Sequence, residues 1–348
     1  MAGAGGGGTS STMEKKEKLV NKFKRLLKKV GCPRWLHKYG PKKYLFLHHI
    51  TALLLKQECK MSYRRISNLL RGLGVKCPCY SALWHCMARM PLALWQRILA
   101  ATITQLPYIM AIDGTGMSRT LPSPYYYWRI DKPYPVEVPL KLSIAVDTKT
   151  KKILALRLRA KKAHDIMDAK YLINRSPQAN WLVADKAYDA NWLHEFCKQK
   201  GMNCNIPLRK KGKSKNKRHT LRRESQKYYH PKRYNRRGMV ESVFKAVKTK
   251  YGASIASHKI SAQRAEVYCR AIAHNIILKF LEILNYPTHM SSGGWQFLST
   301  INCGVSLPYH LWDSGKSSSL QAIAGGHAWR IQSSHRIICS DIWNWWRT

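Results

Sequence analysis

Three acids in this chain stand where a fold can hold a carboxylate still. Asp113 closes the apolar run of MAIDGTG, Asp185 closes another in LVADKAYD, and Glu241 lies within RYNRRGMVESVFKAVKTKYG. They stand out because Asp and Glu number 18 against 61 Lys and Arg. The ends of buried strands are rigid, which is what a metal ligand needs. Acids set among Lys and Arg have two uses: ion pairs, or a grip on a hard divalent cation. Mg²⁺ takes carboxylate oxygens together with waters and substrate phosphates. Two such ions about 4 Å apart hold the attacking and leaving oxygens of an in-line phosphoryl displacement. Three carboxylates are enough to ligate such a pair.

The segment around Glu241 adds a geometric test. Tyr234, Arg237, Glu241 and Lys248 lie at offsets of 0, 3, 7 and 14. On one helix spanning 234–251, at about 100° per residue, they fall near 0°, 300°, 340° and 320°, a single stripe about 60° wide. One acid flanked by two cations and an aromatic suits a metal ligand whose neighbours hold a DNA backbone. The plainer reading is a salt-bridged helix face, with Arg237 and Glu241 an ordinary i,i+4 pair.

Elements must bring these residues together. EKLVNKFKRLLKKV lines up Leu19, Phe23, Leu26, Leu27 and Val30 and predicts a basic amphipathic helix, stopped at Gly31 and Pro33. Three more helices are predicted in KKYLFLHHITALLLKQE, SYRRISNLLRGLG (with Ser62 as a possible cap) and CYSALWHCMARMP. The last two, separated by Gly72, Gly74 and Pro78, are similar to a helix-turn-helix; the alternative is a small bundle with a solvated basic face. After Pro107 the pattern changes to short apolar runs. Strands are expected in PYIMAID, KLSIAVD, KKILALRLR, NWLVAD and NCNIP, and helices in IMDAKYLINR and ANWLHEFCKQKG, the latter stopped at Gly201. A long insertion, Gly114 to Leu140, separates the first two strands. Helices follow over about 234–251 and 262–284.

The charge sets the partner class. The formal net charge is +43 over 348 residues. A compact body with that excess repels itself unless a polyanion offsets it. Between Arg209 and Arg237 there are 14 Lys and Arg and one acid, with Tyr228, Tyr229 and Tyr234 interleaved. That mixture favours a nucleic-acid surface over a merely solvated loop. A membrane partner is disfavoured: no run of about 20 apolar residues is present, and the basic residues are spread over several elements instead of one amphipathic helix. The glycine-rich start has no apolar core of a signal peptide. Ten Cys are too sparse for a disulfide scaffold, and Cys77, Cys79, His85 and Cys86 match zinc-ligand spacing poorly. From residue 287 on there are four Lys and Arg, eleven Ser and six of the twelve Trp, with no clean period.

The spacing Tyr234-(2)-Arg237-(3)-Glu241-(6)-Lys248 resembles the Y-(2)-R-(3)-E-(6)-K signature of DDE transposases of bacterial and archaeal insertion sequences. IDGTG is similar to their first-Asp motif and ADKAYD to their second; SPYYYWR and AHDIMDAKYL also resemble stretches between those motifs. The resemblance spans about Pro107 to Leu284. It implies an α/β fold: a ribonuclease H-like catalytic core over 105–286, with the basic loop 207–233. Ahead of it would stand a flexible leader (1–13) and a basic helical, helix-turn-helix-like DNA-binding domain (14–104), and behind it an atypical tail (287–348). It implies Asp113, Asp185 and Glu241 as catalytic ligands of Mg²⁺ or Mn²⁺, two ions in all. Tyr234, Arg237 and Lys248 would contact the element's end near the scissile phosphate. The implied partners are the terminal inverted repeats, target DNA and a second copy of the chain, and the place is the nucleoid of a prokaryotic cytoplasm. The reaction would be cleavage at the element ends followed by strand transfer. The alternatives are a DNA-binding protein without catalysis and a divalent-metal nuclease without strand transfer. Asp147 and Asp189 are expected in turns or caps, Asp165 and Asp168 at a helix start, Tyr188 beneath the site and His164 in a structural place.

Overall fold

The short apolar runs after Pro107 assemble into one mixed sheet. The protein is described by a computed structural model at residues 27–28, 30–35, 39, 42–120, 123–133, 139–161, 163–208 and 221–283. The leader, nearly all of the first basic helix, residues 209–220 of the basic loop and the 287–348 tail lie outside the described residues.

The strands are β1 (Ile109–Arg119), β2 (Leu140–Asp147), β3 (Ile153–Arg159), β4 (Trp181–Val183), β5 (Asn203–Asn205) and β6 (Ser254–Ile255). Their order is β3-β2-β1-β4-β5, with β6 pairing on β1. β1, β2 and β3 are joined antiparallel, whereas β4 and β5 run parallel to β1. Asp147 closes the β2–β3 turn by accepting from the amides of Lys149 and Thr150 and from the Thr150 hydroxyl. That is the turn role expected of it.

Alternation along β1 divides the core in two. Ile109, Ala111 and Met117 join one buried cluster, Met110 and Ile112 the other, as the period of two requires. On the second face lie α6 (Ala169–Arg175), with Leu172 and Ile173, and α7 (Asn191–Gln199), with Leu193 and Cys197. On the first face lie α10 (Gly238–Tyr251) and α11 (Ile260–Ile283). The same cluster takes in α1 (Phe46–Glu58), α2 (Tyr63–Gly72), α3 (Tyr80–Arg89) and α4 (Leu92–Ala101), so the N-terminal helices share a core with this face of the sheet. Ser62 does cap α2, accepting from the Arg65 amide. Cys77 and Cys86 are buried thiols, pushed by burial up to about 11 and about 12.

Two predicted boundaries shift. β1 does not stop at Asp113: it continues to Arg119, because Gly114 through Met117 find partners from Ser143 to Leu140 on β2. The insertion is therefore shorter and carries α5 (Pro124–Arg129). The expected single helix over 234–251 is broken into α9 (Pro231–Tyr234), a 3₁₀ turn (Asn235–Arg237) and α10. Gly238, a poor helix former, marks the junction. α8 (Leu221–Ser225) precedes them. Among the described residues no helix is long and apolar enough to cross a membrane.

Candidate active site

The register of two neighbouring strands sets the two aspartates side by side. Ala111 on β1 pairs with Val183 on β4, in parallel. Asp113, within β1, and Asp185, just past β4, each follow by two residues, so they stand at one level and toward one face. Neighbouring strands lie about 5 Å apart. That face is the one α10 covers, because Val240, Val243, Phe244 and Val247 on α10 join the cluster of Ala111 and Val183. Glu241, next to this apolar stripe, stands at the rim with its side chain 57% exposed.

Arg237 ties the acids together. Its guanidinium lies 2.8 Å from Glu241 Oε1 and 3.7 Å from Asp113 Oδ2. Tyr234, one turn earlier, places its hydroxyl 3.5 Å from Asp185 Oδ1. Lys248, further along α10, donates to Thr115 Oγ1 at 2.7 Å, two residues past Asp113 on β1. All six residues singled out in the sequence thus collect on one face of the sheet, over the central strand β1 and its neighbour β4. The plain i,i+4 pair of Arg237 and Glu241 is present too; it forms part of this cluster.

Burial raises the Asp113 carboxyl above the ordinary aspartate range, while the Gly114 amide and Arg237 pull it down and Asp165 and Glu241 push it up. Burial also lowers Lys248 and raises Tyr234. Tyr188 lies beneath, fully buried, its phenol raised by burial and then by Asp165, Asp113, Asp168 and Asp185.

Asp165 opens the 3₁₀ turn Asp165–Asp168 ahead of α6, the helix start expected of it, and its carboxylate packs on β1. A Cβ built on Gly114 would lie 2.7 Å from its Oδ1. Lys141 on β2 holds the same oxygen at 2.5 Å and also donates to the Ala163 carbonyl. The missing side chain at position 114 leaves room for the Asp165 carboxylate on the face of β1 opposite the one from which Asp113 points. The glycine directly after Asp113 was the available signal. Asp168 does other work: fully buried, it accepts from Ser143 at 2.8 Å and from Arg159 at 2.6 Å, with Arg157 at 3.2 Å. Asp189 is clamped by Arg222 through both oxygens, at 2.7 and 2.5 Å, with His194 at 3.4 Å.

The carboxylates are hard oxygen donors of the kind Mg²⁺ and Mn²⁺ take. Among the described residues, though, no group of three or more His, Cys, Asp or Glu stands at metal-holding spacing. The Arg237 guanidinium occupies the place between Asp113 and Glu241 where a cation is called for. The donor chemistry fits a divalent ion, provided that Arg237 turns aside.

A known family covers this half of the chain. Residues 104–276 match the family described as transposase DDE domain, and the chain belongs to that family. No curated protein is significantly similar in sequence. Among solved structures, the piggyBac transposase synaptic complex with hairpin DNA, determined by cryo-EM, is similar at 12% identity and a TM-score of 0.41, covering 82% of this chain and 77% of that one.

Proposed function

We propose that this protein is the transposase of an insertion sequence, cutting DNA at the ends of its element and joining the freed 3′-hydroxyl to target DNA. The carrying observation is the parallel register Ala111↔Val183, which puts Asp113 and Asp185 at one level under a helix bearing Glu241. An acid on β1, a second just past β4 and a third on a later helix, in one mixed sheet with helices on both faces, support this reading; the catalytic core would be ribonuclease H-like, as the sequence resemblance implies. Asp113, Asp185 and Glu241 would hold the divalent ions. When bound, these supply Lewis acidity at the attacking and leaving oxygens.

The protein's own residues then have definite tasks. Arg237, released from the acids, presents a bidentate fork to a phosphate. Tyr234 buttresses Asp185, and Lys248 anchors the strand backbone. Lys248→Ala should weaken binding to duplex DNA and reduce the slope of log K against log salt by about 0.9, the loss of one phosphate contact. A slope unchanged in a salt titration would confine Lys248 to its bond with Thr115. Asp165, seated over Gly114, keeps the middle of β1 in place. Gly114→Ala adds one methyl at a strand position that tolerates alanine, yet it displaces the Asp165 carboxylate. We expect cleavage to fall about ten- to a hundredfold, as sub-ångström to ångström shifts of catalytic groups do, with little change in thermal stability. An unchanged cleavage rate would remove Asp165 from the site.

The basic N-terminal helices over 14–104, α2 and α3 as the helix-turn-helix-like pair, would bind the terminal repeats, and two copies would hold two ends, within a bacterial or archaeal nucleoid. The test uses the full chain, Mg²⁺, and linear duplex taken from the DNA flanking its own gene. Cuts at the repeat boundaries followed by joined products support the proposal. Cuts without joining would make the protein a nuclease, and binding without cuts a DNA-binding protein.

A further inference from the structure

The segment between β1 and β2 displays aromatic rings that the fold leaves in water. α5 has the sequence PYYYWR and no buried residue. Trp128 is 74% exposed, Tyr125 66% and Tyr126 41%. Aromatic side chains can each bury 150–250 Å², so three of them exposed on six residues leave unused a large part of what burial ordinarily contributes. Isolated exposed rings are common on protein surfaces, whereas a contiguous group marks a contact surface.

The group is ordered without help from the core. Ser123 accepts from the Tyr126 amide at 3.4 Å and Pro124 takes the first helical position, both of which favour the turn locally. The rings of Tyr125 and Trp128 lie 5.6 Å apart with a 39° tilt, forming one slab. Arg129 stands 5.9 Å from the Tyr126 ring, and Lys132 follows. β1, which carries Asp113, runs on to Arg119, so α5 begins five residues past the end of that strand.

Two occupants have chemistry for such a slab: an apolar protein face, or nucleobases. Charge separates them. A second copy brings another +43, and like charge opposes a direct contact between copies that no nucleic acid bridges. A nucleic acid brings π faces for the rings and phosphates for Arg129 and Lys132. In an intact duplex those faces are already stacked on one another, so the slab fits bases that have lost their partners.

We infer that Tyr125 and Trp128 form a stacking surface for unpaired DNA bases. This rests on the reading of the chain as a DNA-processing enzyme. The test is fluorescence anisotropy with the full-length protein and two labelled probes: an uninterrupted duplex, and the same duplex with an unpaired thymine flap. Wild type should prefer the flap. Tyr125→Ala and Trp128→Ala should each weaken flap binding about 5- to 100-fold, leave duplex binding within about twofold, and leave the melting temperature unchanged; Trp128→Phe should retain most of the preference. Equal losses on both probes, or no loss on either, would overturn the inference while leaving DNA binding intact. Trp128→Ala lowering the sedimenting mass with flap affinity kept would make the slab a contact between copies and overturn it as well. Failure of the wild-type protein to bind either probe would overturn both this inference and the reading beneath it.

Discussion

Asp113→Asn and Asp185→Asn should each reduce Mg²⁺-dependent cleavage of element-end DNA by about a thousandfold or more while binding of the same DNA persists. Asn keeps the volume and the hydrogen-bonding reach of Asp but removes the charge that a divalent ion needs. Lewis-acid stabilisation of a phosphoryl transition state is worth several kcal/mol, and about 4 kcal/mol corresponds to a thousandfold in rate. Binding should hold or strengthen, because each variant takes one negative charge away from the phosphates. Glu241→Gln should follow the same pattern, although it also loosens Arg237, which contacts Glu241 at 2.8 Å. Cleavage assays and mobility shifts on the same substrate separate the two effects. Full cleavage by any one of these variants would strike that residue from the site.

Glu266→Ala should be the most destabilising of the simple substitutions, by about 3–5 kcal/mol. Glu266 and Arg270 form a 2.7 Å pair with side chains only 3% and 4% exposed. Glu266 also accepts from the amides of Ala256 and Ser257, and Arg270 donates to the carbonyls of Gly252 and Ser254. The pair ties off the turn after α10, at the far end of the helix that bears Glu241 and Lys248. Alanine would leave a buried guanidinium without its counter-charge and two amides without acceptors. At about 2–4 °C per kcal/mol for a body of this size, the melting temperature should fall by roughly 6–20 °C. Calorimetry reads this directly; a fall of only a degree or two would show that water reaches Arg270.

The sequence made the strand-bearing half of the fold readable for a physical reason. IMAI, LSIAV and ILALRL are apolar runs of strand length bounded by turn residues, and each forms the expected strand. Gly201, read as a helix stop, adopts φ +68 just past α7. What failed was local reading of elements whose partners are distant. Gly114 and Gly116 look like loop residues until β2 supplies a partner for each. Leu92–Ala101 went unread as a helix: LALWQRILAA has little polar face to show a period, and Leu94, Trp95, Ile98 and Leu99 are all buried. The three acids were legible because acids are rare in so basic a chain, and the Tyr-Arg-Glu-Lys set through its spacing. Asp165 was legible only as a helix start; its seat against β1 depends on an absent side chain at Gly114 and on Lys141 of β2.

The central claim is that Asp113, Asp185 and Glu241 jointly hold a divalent cation once Arg237 gives way to it. The most direct measurement is a structure of the full chain with element-end DNA in Mn²⁺, with the anomalous signal of manganese located. The account predicts manganese among those three carboxylates, with the Arg237 guanidinium turned onto a phosphate. Manganese absent from all three in a DNA-bound structure, with Arg237 still seated between Asp113 and Glu241, would contradict it.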